Sequence, residues 1–156
     1  MTANLLPSLQ ARYVPTADLW PERPMPNVRT TNPNEAERED LLLSKLGPRG
    51  WGRVHHFRHY YAQGWGERGH GRPLSPRSLE AFFRFLETMP MPQRTAPKVF
   101  LTDSGHLELC WQDGQGAAVQ LEFTPSMTEF YIESSETEGS VPHAAITSLA
   151  AMLPRP

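Results

Sequence analysis

The chain has 156 residues, 38% of them hydrophobic, with 16 prolines, one cysteine and a formal charge of −2. That length suits one domain burying roughly two-thirds of its unfolded surface, so neither a disulfide nor a metal is required to hold it. The single Cys110 excludes an internal disulfide and fits a reducing compartment, so a cytoplasmic protein is expected. MTANLLPSLQAR lacks a basic start followed by a long apolar run, so no secretory leader is expected, and no apolar run approaches a membrane span.

In chain order, residues 1–33 come first and hold Pro7, Pro15, Pro21, Pro24, Pro26 and Pro33. Each removes a backbone donor and disfavours helix at the residue before it, so this stretch is predicted to be an extended arm. Leu5, Leu6, Leu9, Tyr13, Val14, Leu19 and Trp20 are too apolar for a plain solvated tail. Residues 34–156 are predicted to form a single α+β domain: helices over 34–89, an antiparallel β-meander over 98–134 and a C-terminal helix over 143–153.

Asn32-Pro33-Asn34-Glu35 has the form of a helix start, and Gly47-Pro48 stops that helix. WGRVHHFRHYY (51–61) places Val54, Phe57 and Tyr61 at helical spacing, and Gly64, Gly66, Gly69 and Gly71 then make a loop. Ser75-Pro76 starts the clearest helix, where Leu79, Phe82, Phe83 and Leu86 form one apolar stripe. From Lys98 the period changes to two. Val99/Leu101, Leu107/Leu109/Trp111, Val119/Leu121/Phe123 and Phe130/Ile132 alternate with polar residues and are separated by Gly or Pro turns. This predicts four antiparallel strands, one face apolar and covered by helices, the other polar.

Gly64-Trp65-Gly66, Pro73-Leu74-Ser75, Leu79, Phe85-Leu86, Pro97-Lys98-Val99, Thr102, Gly105, Leu107, Leu109 and Trp111 together resemble a layout that recurs in small bacterial proteins. In that layout a GW–G element and an S-P-x-x-L helix precede P-x-V-x-x-T-x-x-G-x-L-x-L-x-W. The resemblance covers about a third of the chain, residues 64–111. It implies the helix-then-meander fold and a bacterial or phage origin, and it carries over no catalytic residue. Gly66 stands where the commonest form has Asp or Asn, which removes a polar position.

Charge is divided by region. Residues 48–77 hold six arginines, Arg49, Arg53, Arg58, Arg68, Arg72 and Arg77, against the single acid Glu67. Trp51, Phe57, Tyr60, Tyr61 and Trp65 are interleaved with them. Guanidinium groups grip phosphate or carboxylate, and aromatic faces stack on bases or fill protein interfaces. The plain alternative is that the rings are core and the arginines solvated. Residues 101–140 hold eight acids and no Lys or Arg, and Glu108, Glu122, Glu129 and Glu133 are predicted to share the polar side of the sheet. That face reads either as a solvated surface that discourages edge pairing or as a site for a basic partner. The two charge blocks could also meet in a homodimer.

His55 and His59 have the spacing of a metal pair, with His70, His56 or Glu67 as further ligands, and His56 or His59 could act as a base in RNA cleavage. No HExxH, phosphate-loop or GxSxG pattern accompanies them, and Cys110 reads as an inert strand residue. No catalytic, cofactor-binding or metal residue is assigned.

The leading expectation is a non-enzymatic protein-binding module of the antitoxin, immunity or anti-defence accessory kind. Its expected contacts are Arg49, Trp51, Arg53, Arg58, Tyr60, Trp65, Arg68, Arg72, Glu108, Glu122, Glu129 and Glu133. The alternatives are a single-stranded nucleic-acid module using residues 49–77 and a small histidine-dependent nuclease or metal enzyme.

Overall fold

A computed structural model describes residues 33–61 and 65–156. The proline-rich arm expected over 1–33 lies outside them but for Pro33. A division of the chain falls between Ala36 and Glu37, and Glu37–Pro156 forms the larger compact unit.

Helix α1, Pro33–Tyr60, is broken at Gly47, whose φ of 70° and ψ of −179° only glycine adopts readily. The predicted stop at Gly47-Pro48 is therefore a bend, and Pro48 opens the second half, where its missing N–H costs nothing. Helix α2, Pro76–Thr88, is capped by the Ser75 hydroxyl, which accepts from Ser78 N–H. Residues Ala81, Phe82, Phe83, Phe85 and Leu86 of α2 are buried.

Five antiparallel strands follow in simple order: β1 Lys98–Leu101, β2 Leu107–Gln112, β3 Ala118–Phe123, β4 Met127–Ile132 and β5 Thr137–Pro142. Helix α3, Ile146–Met152, follows a 3₁₀ turn over His143–Ala145. The expected α+β class is present, but the sheet has five strands rather than four. β5 reads Thr-Glu-Gly-Ser-Val-Pro, which lacks alternation and contains both residues that normally argue against a strand. Its pairing to β4 supplies what its own propensity does not.

Val99, Leu107, Leu109, Trp111, Val119, Leu121, Phe123 and Ile132 form the buried face of the sheet. Phe82 and Phe85 of α2 meet Phe123 at ring centroids 5.6 Å apart, and Phe85 stacks on Trp111 at 6.3 Å. The Trp111 indole N–H donates to Pro154 O at 2.9 Å. Ser78 is buried in α2 because its hydroxyl accepts the Leu107 N–H at 2.8 Å, fixing the helix to the start of β2. No helix among the described residues is long and apolar enough to cross a membrane.

Candidate functional site: an acidic sheet face

The pleat sends alternate residues to the side away from α2 and α3. The register there aligns Phe100, Glu108, Glu122, Glu129 and Ser140 in one row across all five strands. Lys98, Cys110, Gln120, Tyr131 and Glu138 make the next row. Three of the four predicted carboxylates, Glu108, Glu122 and Glu129, thus stand directly opposite one another on β2, β3 and β4. Like charges in that position disfavour the sheet.

Part of this repulsion is offset locally. Glu122 Oε1 lies 2.9 Å from His106 Nδ1 and 3.4 Å from the Thr102 hydroxyl. Glu108 accepts from the Cys110 thiol at 3.1 Å. Burial above all, and then that bond and the Glu108 charge, push the Cys110 thiol up to about 12. Glu129 is exposed and faces Ser140. Glu133 does not join the row. It opens a 3₁₀ turn after β4, and its carboxylate accepts the Ala118 N–H at 2.6 Å.

Between β3 and β5 the face is concave. A trough of about 520 Å³ is lined by Gln120, Glu122, Glu129, Tyr131, Glu138 and Ser140. Tyr131 is 39% exposed there. Sequence reasoning left out Tyr131, Glu138 and Ser140. The alternation in FYIE could have flagged Tyr131, whereas Glu138 and Ser140 depend on a strand that its own residues do not announce.

The basic segment is dispersed by comparison. The Arg53 guanidinium lies 4.7 Å from the Phe100 ring and 5.8 Å from that of Phe57, so it marks the β1 end of the acidic row. Arg49, Arg68 and Arg72 are exposed and Arg58 is half-buried. Trp51 donates its indole N–H to Glu39, whose oxygens also lie 2.7 and 3.0 Å from His55 Nε2. This ties the two halves of α1 together across the Gly47 bend. Trp65 packs on Tyr61 at 5.4 Å and donates to Arg72 O at 2.6 Å. Among the expected ring contacts Tyr60 is the most exposed, at 62%, and its ring packs on His56 with centroids 4.7 Å apart.

His55 and His59 stack with centroids 5.9 Å apart. Among the described residues no three His, Cys, Asp or Glu side chains converge where a metal ion could sit.

Comparison with protein-family models, curated proteins and solved structures found no match.

Proposed function

We propose that the protein is a non-enzymatic binding module whose acidic sheet face covers a basic surface of a protein partner. Such a module would be of the antitoxin, immunity or anti-defence accessory kind. The observation that carries the reading is the direct opposition of Glu108, Glu122 and Glu129 across three strands. Folding alone disfavours that arrangement, and a cationic partner would relieve it. Tyr131 and the half-buried Phe100 add apolar contact beside the charge. Arg53 and Lys98 lie at one end of the face and Glu138 at the other, which gives a partner a defined orientation.

Single-stranded nucleic acid on residues 49–77 is the competing reading. It is weakened because Trp51 and Trp65 are engaged within the chain, which leaves few stacking platforms beside the arginines. Random oligonucleotides should bind more weakly than about 1 μM at physiological salt, and a log–log salt slope of roughly −0.7 per phosphate would mark any such binding. Fluorescence anisotropy with a labelled oligonucleotide measures both.

The decisive test uses the partner purified from the native host. Glu108→Gln with Glu129→Gln should weaken its binding about tenfold or more, while Arg53→Ala, Arg58→Ala and Arg72→Ala together test the basic segment. If the carboxylate variant binds the partner as the wild type does, the acidic face is not the interface.

A further inference from the structure

The two edges of the sheet are chemically unlike. β1 is four residues long, carries Lys98 and has the Arg53 guanidinium over Phe100. β5 is six residues long and exposed at every position except the half-buried Val141, and it carries Glu138 with Glu136 just before it. Among the described residues no backbone hydrogen bond joins the outer side of β5 to another segment. Among the described residues the row of main-chain donors and acceptors there has no partner, which is the template for strand addition.

Side chains favour the same edge. The trough on the acidic face runs up to Glu138 and Ser140 of β5. On the opposite face the tip of the Phe130 ring lies against Gly139, where an added Cβ would stand 2.9 Å from Phe130 Cζ. The half-buried Phe130 therefore brings an aromatic ring to the rim of the sheet.

From these features we infer that the partner presents an extended segment of alternating basic and apolar residues, which adds to β5 as a sixth strand. The inference rests on the protein-binding reading above and specifies its mode. Strands lie about 4.8 Å apart, so Glu129 on β4 is two spacings from the new strand. An extended lysine or arginine and an extended glutamate together span that gap. Basic side chains of the sixth strand would then meet Glu138 and Glu129 in the trough, and the apolar ones would meet Phe130 and Val141. A second copy of this chain is a poor occupant, because two β5 edges would bring Glu136 and Glu138 of both copies to one seam that holds no Lys or Arg.

The probe is a fluorescein-labelled eight-residue peptide of alternating Lys and Val, titrated by anisotropy against the whole chain at low salt. Two further versions are N-methylated, one on every Lys and the other on every Val. In a strand all the backbone N–H groups of one set point to the same side, so one version should lose about tenfold or more and the other should bind nearly as the parent does. Glu138→Lys should weaken the parent peptide and Lys98→Glu should not. Equal effects of the two methylations would overturn strand addition while leaving the acidic-face reading to its own carboxylate test. Absence of peptide binding, or a dimer of the free chain that the peptide does not compete away, would overturn it as well.

Discussion

The two faces of the sheet are built from the same strands and differ only in the parity of their residues. On one, Leu107, Leu109, Trp111, Leu121 and Phe123 are enclosed by α2 and the C-terminal segment. On the other, the positions between them hold Glu108, Cys110, Gln120 and Glu122. The first face stabilises the fold through apolar burial, and the second works against it through carboxylates set side by side. The same rigid, well-packed base thus holds an apolar face that favours folding and an acidic face that opposes it, and the proposed binding role rests on the second.

Four measurements test the difference between the two faces. The largest effect is expected at Cys110, which belongs to the open face but is half-buried between its neighbours. Its thiol stays protonated in the folded chain, so alkylation by iodoacetamide at pH 8 should run about a hundredfold slower than in the unfolded chain, the smaller thiolate fraction being partly offset by the greater nucleophilicity of a high-pKa thiolate. Because the folded pKa is raised, the unfolded thiol ionises first. Cys110 therefore leaves stability unchanged below about pH 8 and lowers it as pH rises toward 12. Rapid alkylation of the native protein would mean that this face is looser than described.

Trp111→Ala should cost about 3–5 kcal/mol in denaturant unfolding, since the ring is only 6% exposed and stacked on Phe85. A loss under about 1 kcal/mol would remove Trp111 from the core. Ser78→Ala leaves the buried Leu107 N–H without its acceptor and should cost about 1–3 kcal/mol, measured in the same way.

The smallest effect has the opposite sign. Glu129→Gln removes one of the three opposed carboxylates and should raise stability by about 0.2–1 kcal/mol at low salt. The gain should shrink in 1 M salt, where the Debye length is about 3 Å. A loss of stability would show that the row is already compensated within the chain.

The α2 helix and the first four strands were legible because their residues keep a period of 3.6 or 2 under strong hydrophobic contrast. The shared face of Glu108, Glu122 and Glu129 was legible for the same reason, whereas their alignment in one row depends on the register of the strands, and parity carried Glu133 onto that face although it opens a turn. β5 was not, because Gly139 and Pro142 oppose a strand and its register comes from β4. The use of Trp51 and Trp65 was hidden as well. Their partners, Glu39 and the Arg72 carbonyl, are brought near by the Gly47 bend and the loop after α1 rather than by any local pattern.

The meander order has a kinetic consequence. Each strand pairs with its neighbours in the chain, and the connections from β1 to β5 are only a few residues long. Such contacts close with little loop entropy, so hairpin formation over 98–142 should be fast for a β-rich chain. The long-range step is the docking of α2, whose Ser78 must find Leu107 across 29 residues of sequence. In a stopped-flow chevron series, Ser78→Ala should therefore slow refolding if docking precedes the barrier and speed unfolding if it follows.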